Sequence, residues 1–273
     1  MESSFTNTFI VPLPPQPHIH LLPIIMKNIY TTFVDTMHKG EKLFLVLIDP
    51  DHFTHEKQIV RFVEQINQAQ PDMILIGGSL TVETTTTIIR QIKERCTLPI
   101  VLFPGNTLQF TPEADGLLLL SLISGRNPDL LIGQHVILAQ TIKRSGIETI
   151  STGYILVESD HTTAVEYISN THPIPRAKPA IAAATAIAGT LLGNRLIYLE
   201  AGSGAYPPVP AAMIAAVKEA IEVPLIVGGG LRTAEEIQTA LEAGADAIVV
   251  GNILEETPEL MSSFVKIIRQ YRK

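Results

Sequence analysis

The chain has 273 residues, 46% of them hydrophobic and 17% charged, with 27 acidic against 20 basic side chains and a net charge of −7. That apolar content excludes a disordered or coiled-coil chain, and a single cysteine, Cys96, excludes a disulfide-stapled secreted scaffold. An acidic chain without a lysine- or arginine-rich tract is not built to bind nucleic acid, so any phosphate it takes must be held locally.

Residues 1–25 mix prolines with scattered polar residues and lack the basic stretch and small-residue cleavage site of a signal peptide. They read as a disordered leader or as sequence upstream of a start at Met26, and the globular part is expected to span residues 26–273. Asn28 to His38 is amphipathic enough for a short helix. No apolar stretch reaches the roughly 18–20 residues of a membrane span, so a cytoplasmic protein is expected.

Eight apolar, β-branched runs follow: Leu43–Asp49, Asp72–Gly78, Pro99–Gly105, Gly116–Leu122, Thr152–Glu158, Leu196–Gly202, Pro224–Gly230 and Ala247–Asn252. Each is near-continuous, as parallel strands covered on both faces require. Segments of helical period separate most of them: His55–Gln68, Val82–Arg95, Asp129–Ser145, Pro179–Gly193, Val209–Ile221, Thr233–Ala243 and Pro258–Tyr271. Strands and helices alternating in this way predict a single α/β domain, a (β/α)8 TIM barrel.

The third connection breaks the pattern. Asn106–Asp115, with Pro112 inside, is too short for a covering helix, so the third helix is expected to be shortened or missing. The gap is either a trimmed helix of no consequence or an opening for a long apolar ligand. Ala180–Gly193 is too short to cross a membrane and reads as a helix buried in the core or at a subunit contact, so a homo-oligomer is expected.

In such barrels the chemistry sits at the carboxyl ends of the strands. Here those ends carry Asp49-Pro50-Asp51, Gly77-Gly78-Ser79, Glu200 through Gly204, Gly228-Gly229-Gly230 and Gly251-Asn252. Glycines there let backbone N–H groups approach an anion, and the loops after the seventh and eighth strands are the usual phosphate site of the fold. The alternative is that they only make tight turns. Neither a dinucleotide fingerprint nor a P-loop is present.

Carboxylates complete the set. Asp49 follows an entirely apolar strand and is read as a ligand for a hard cation such as Mg2+, with Ser79 one strand over as a second ligand or a phosphate contact. Asp51 could join it, or either aspartate could cap the helix that follows. Glu200 lies inside LIYLEAGSG beside the cradle, where it could act as a general base, unless a lysine or arginine inside the barrel merely satisfies it. His52 and His55 read as solvent-facing residues at a helix start, and Cys96 as a loop or edge thiol.

The combination LIDPD, ILIGGS, TGYILVES, IYLEAGSGA, GGGLRT and IVVGN resembles the geranylgeranylglyceryl phosphate synthase family, which includes heptaprenylglyceryl phosphate synthases, from about Met26 to the C-terminus. The resemblance implies a prenyltransferase that joins the C3 hydroxyl of sn-glycerol 1-phosphate to a polyprenyl diphosphate in ether-lipid synthesis. It implies Mg2+ at Asp49 and Ser79, and glycerol-phosphate contacts at Tyr198, Leu199, Glu200, Ala201, Gly202, Ser203, Gly204, Gly228, Gly229, Gly230, Gly251 and Asn252. Glu200 matches the acid that orients or deprotonates the acceptor hydroxyl, and the tail would lie along the wall near Asn106–Asp115. Where some members carry lysine two residues before the DPD motif, this chain has Leu47, as in the second branch of the family. Peripheral membrane contact is a further expectation. A sugar-phosphate isomerase or epimerase, or a non-catalytic phospholigand-binding protein, are the competing readings; neither calls for both the apolar opening and the DPD motif.

Overall fold

Successive side chains of a strand point to opposite faces, and the eight apolar runs follow that rule around a closed ring. The computed structural model describes residues 28–53, 55–81 and 84–272; the expected leader at 1–25 lies outside them. The strands are β1 (Leu43–Ile48), β2 (Met73–Ile76), β3 (Ile100–Leu102), β4 (Gly116–Leu122), β5 (Glu148–Leu156), β6 (Leu196–Glu200), β7 (Leu225–Gly228) and β8 (Ala247–Val250). Each pairs in parallel with the next, and β8 closes onto β1 through Leu45 opposite Val249. Leu43, Leu45, Met73, Leu75, Leu118, Tyr198 and Val249 fill the interior. Their chain neighbours Phe44, Val46, Ile74, Leu117, Leu199 and Ile248 face outward into a second apolar layer beneath the helices. This is the (β/α)8 barrel expected from the sequence.

The described helices are α1 (Ile29–His38), α2 (Glu56–Ala69), α3 (Thr85–Lys93), α4 (Gln134–Ser145), α5 (Ala164–Ser169), α6 (Pro179–Leu191), α7 (Ala211–Ala220), α8 (Ala234–Glu242), α9 (Asn252–Glu256) and α10 (Leu260–Arg269). In α2 the buried stripe is Ile59, Phe62, Val63 and Ile66, the spacing of one helical face. A reciprocal pair starts α8, where the Thr233 hydroxyl accepts from the Glu236 amide and Glu236 accepts from the Thr233 amide. Between β3 and β4 there is only a 3-10 turn, Thr107–Gln109, so the third helix is replaced as the short connector required. Among the described residues, no helix is long and apolar enough to cross a membrane.

Several boundaries differ from the sequence reading. β5 starts at Glu148 and not Thr152, because Glu148, Thr149, Ile150 and Ser151 pair with Gly116–Leu119 of β4 despite their mixed polarity. Asp129–Gly133 forms a π-helical turn ahead of α4. The helices α5 and α9 were not expected, being too short to show a period. Cys96 is buried in the outer layer, not at an edge. In α6 only Ala182, Ala186 and Gly189 are buried, while Ile181, Ile187 and Leu191 face outward, so the helix is not enclosed by the core of its own chain.

Helix α1 closes the N-terminal mouth. Ile29 and Phe33 join the interior cluster, and Arg195 lies 3.6 Å over the Tyr30 ring. The first two backbone amides of α1, at Ile29 and Tyr30, donate to the Glu148 carboxylate at 2.7 and 2.9 Å. A carboxylate at a helix N-terminus satisfies orphan amides and meets the positive end of the dipole. Glu148→Ala is therefore expected to cost about 1–3 kcal/mol, the usual loss for charge-assisted bonds left unmade. Urea denaturation checks this, and an unchanged midpoint would show that α1 is held by its apolar face alone.

Candidate active site

The inward phase of β1 continues past its last residue and brings Asp49 to the carboxyl-end mouth. The Asp49 amide donates to Glu255 Oε1 at 3.1 Å, and its own Oδ1 accepts from the Asp51 amide at 3.1 Å. Asp49 thus caps the 3-10 turn Pro50–His52 itself, and Asp51 lies outside the cavity lining. Burial pushes the Asp49 carboxyl above its ordinary range, partly offset by the Asp51 amide. His52 is exposed, as expected, while its Nδ1 pairs with Glu255 Oε2 and it lines the cavity rim.

The geometry at Asp49 can be tested against a metal. Among the described residues, no group of three or more His, Cys, Asp or Glu is arranged to hold a metal ion as a transition-metal cage does. Asp49 offers one carboxylate whose Oδ2 faces Gly78 so closely that a Cβ there would come within 2.4 Å. Ser79 lines the same cavity. One carboxylate and a hydroxyl suit a hard cation that completes its shell with water and phosphate oxygens.

Glu200 stands at the inward end of β6, above Leu196 and Tyr198. It is 5% exposed, and its Oε1 accepts from the Gly202 amide at 2.7 Å. Among the described residues no lysine or arginine acts on it, so burial raises its pKa to about 7, with the Gly202 amide and then the Tyr198 hydroxyl working the other way. The Tyr198 hydroxyl is buried beside it and makes no well-formed hydrogen bond; burial and the nearby carboxylate hold that phenol protonated. Phe103 and Tyr154 pack on the Tyr198 ring with centroids 5.1 and 5.4 Å away.

Glycine is required where other chain passes. A Cβ on Gly229 would lie 1.9 Å from Glu200 Oε1, and one on Gly228 would lie 2.1 Å from the Tyr198 hydroxyl. Gly229 and Gly230 both have φ of +73°, a conformation glycine takes readily. Two side-chain bonds tie the neighbouring loops: Ser203 Oγ donates to Asn252 Oδ1 at 2.8 Å, and Arg232 Nη2 donates to the Gly204 carbonyl at 2.7 Å.

All of this surrounds one cavity of about 550 Å3, within the usual range for small-molecule sites. Asp49, Ser79, Tyr198, Glu200, Ser203, Gly204, Gly229, Gly230, Gly251 and Asn252 line it, as does Leu47. At its other end an apolar stripe, Leu120 and Leu122 of β4, Leu130 before α4, and Val165 and Ile168 of α5, runs among the polar Asn127, Asp129, Gln134, His135 and Ser169. Four of the glycerol-phosphate contacts that the resemblance implies do not line it. Leu199 and Ala201 turn outward into the helix layer because they alternate with Tyr198 and Glu200. Gly202 and Gly228 sit behind the lining, where they make room for Thr163 and Tyr198. The apolar end also differs: of Asn106–Asp115 only Asn106 lines the cavity, and the gallery runs between β4, α4 and α5 instead. His52, Arg232 and Glu255 also line the cavity, and sequence reasoning did not place them there.

The closed (β/α)8 barrel thus carries, at one mouth, a buried carboxylate, glycine-built strand ends and a partly apolar gallery. The model of the PcrB family matches residues 36–268. The chain belongs to the PcrB family. It is 48% identical over 235 residues to the geranylgeranylglyceryl phosphate synthase of Spirosoma linguale, covering 86% of this chain and 94% of that one. It is 44% identical over 231 residues to the synthase of the same name from Thermococcus gammatolerans, covering 84% and 90%. Among solved structures, (S)-3-O-geranylgeranylglyceryl phosphate synthase from Thermoplasma acidophilum, in complex with substrate sn-glycerol-1-phosphate, superposes with a TM-score of 0.83 at 30% identity, covering 89% of this chain and 99% of that one.

Proposed function

We propose that this protein is a geranylgeranylglyceryl phosphate synthase that joins the C3 hydroxyl of sn-glycerol 1-phosphate to C1 of geranylgeranyl diphosphate or a similar polyprenyl diphosphate, with Mg2+ as cofactor. The observation that carries the reading is Glu200, a buried carboxylate with a pKa near 7 where the glycine-lined strand ends meet the apolar gallery. The acceptor phosphate is held among Ser203, Gly204, Gly229, Gly230, Gly251 and Asn252, leaving its C3 hydroxyl toward Glu200. A general base works best when its pKa lies near the operating pH. As the C3 oxygen bonds to C1, the C1–O bond to diphosphate breaks, the diphosphate leaves with the electron pair, and the hydroxyl proton passes to Glu200. Mg2+, held by Asp49 and Ser79, would supply charge neutralisation to the leaving diphosphate. The prenyl tail packs against Leu120, Leu122, Leu130, Val165 and Ile168, each buried CH2 contributing about 0.8 kcal/mol. The outward apolar side chains of α6, Ile181, Ile187 and Leu191, support association with a second copy.

Incubation with sn-glycerol 1-phosphate, geranylgeranyl diphosphate and Mg2+ should give the ether product by mass spectrometry. Absence of product with every prenyl length tried would overturn the reading. Chelation by EDTA is expected to abolish turnover and excess Mg2+ to restore it; full activity in EDTA would remove the metal from the proposal.

A further inference from the structure

The turn that replaces the third helix carries a residue with no part in the reaction as described. Gln109 is 2% exposed, in a connector whose neighbour Leu108 projects into solvent. Its Oε1 accepts from the Gly105 amide at 3.1 Å and from the Gly78 amide at 3.4 Å, and its Nε2 donates to the Gly78 carbonyl at 2.8 Å. One side-chain amide therefore engages both backbone polar groups of Gly78, as a neighbouring strand would. The chain here has no slack: a Cβ on Gly77 would lie 1.9 Å from the Phe103 carbonyl oxygen, and one on Gly105 would lie 2.3 Å from the Gly78 carbonyl oxygen. On its other side Gly78 abuts the Asp49 carboxylate.

We propose that Gln109 is a positioning residue that fixes the Gly77–Ser79 loop against Asp49 and so sets the diphosphate end of the site, leaving the glycerol-phosphate end untouched. The inference rests on the synthase reading, which places the diphosphate at Asp49 and Ser79. The acceptor cradle is built from the ends of β6, β7 and β8, and Gln109 makes no hydrogen bond to any of them. Loss of these bonds should therefore act on one substrate only, because an amide buried without partners forces the loop to move or admit water.

The test uses the full chain and two variants. Gln109→Met keeps the length and removes all three bonds; Gln109→Glu keeps the shape and the accepting oxygens but removes the donor. For each, dissociation constants for geranylgeranyl diphosphate, sn-glycerol 1-phosphate and Mn2+ alone are measured by calorimetry, beside the two KM values. Weakening of the diphosphate and Mn2+ constants by tenfold or more, with the glycerol-phosphate constant within twofold, is the expected result. Equal weakening of both substrates, or none in a folded variant, overturns it. If neither variant folds, hydrogen exchange of the Gly78 and Gly105 amides in the unaltered protein decides: slow exchange supports the strut, and exchange at the rate of an open loop overturns it. Failure of the synthase reading shows separately, as absence of ether product from the unaltered protein while these measurements still read the loop.

Discussion

Glu200→Gln is expected to lower kcat about 10²- to 10⁴-fold, the usual contribution of a positioned general base, while leaving both substrate dissociation constants within a few-fold. In the unaltered enzyme kcat/KM should rise with pH through an apparent pKa near 7, because the carboxylate must be ionised to accept the hydroxyl proton. The variant should lose that limb, keeping only the ionisation of the substrate phosphates. Stability should move the other way. The folded-state pKa lies above the unfolded value of 4.5, so the folded state holds the proton more tightly. Its advantage is fully present below pH 4.5 and is lost as pH rises through about 7. At pH 8 the ionised, buried carboxylate costs on the order of 3 kcal/mol, and Glu200→Gln removes that cost. A variant that is nearly inactive yet melts higher than its parent at pH 8, but not at pH 4, is the combined expectation. Unchanged turnover would remove Glu200 from the base role.

Gly229→Ala is the second large effect. The added Cβ would meet Glu200 Oε1 at 1.9 Å and the Gly202 amide nitrogen at 2.6 Å, and φ of +73° adds backbone strain. Neither neighbour can yield easily, since the Gly202 amide is the donor that holds Glu200. The expected cost is about 2–4 kcal/mol of stability, with activity reduced at least as far as in Glu200→Gln. Gly40→Ala is the control, since Gly40 shares the conformation at φ of +70° with nothing within 4 Å. It should cost only about 1–2 kcal/mol, the left-handed penalty alone, and leave activity intact. Comparable losses in both variants, by denaturation and initial rates, would mean that the contact with Glu200 is not what requires glycine.

The barrel was legible because its strands are buried on both faces and so read as unbroken apolar runs. Where burial is incomplete the signal weakened. The first residues of β5, Glu148 to Ser151, are held by pairing with β4, and no periodicity announces that. Asp49 and Glu200 were visible as acids at the ends of apolar strands, where packing gives no reason for charge. Leu199 and Ala201 came in with their motif, although alternation along β6 turns them away from the cavity. Gln109 and Glu255 could not be found in this way. They act on backbone groups 31 and 206 residues distant, and a hydrogen bond to main chain leaves no trace in the identity of its partner.

The helix that Glu148 anchors gives the vessel a floor. With α1 seated on the N-terminal ends of the strands, Leu43, Leu45, Met73 and Phe33 are almost wholly buried and pack the barrel interior below the cavity with apolar side chains. An allylic carbon losing diphosphate is as open to attack by water as by an alcohol, and hydrolysis would waste the donor as free prenyl alcohol. An apolar-packed base would confine the competition to the carboxyl-end mouth, where the proposed function puts the acceptor. The plug that looks like a matter of stability is in this sense a guard on yield.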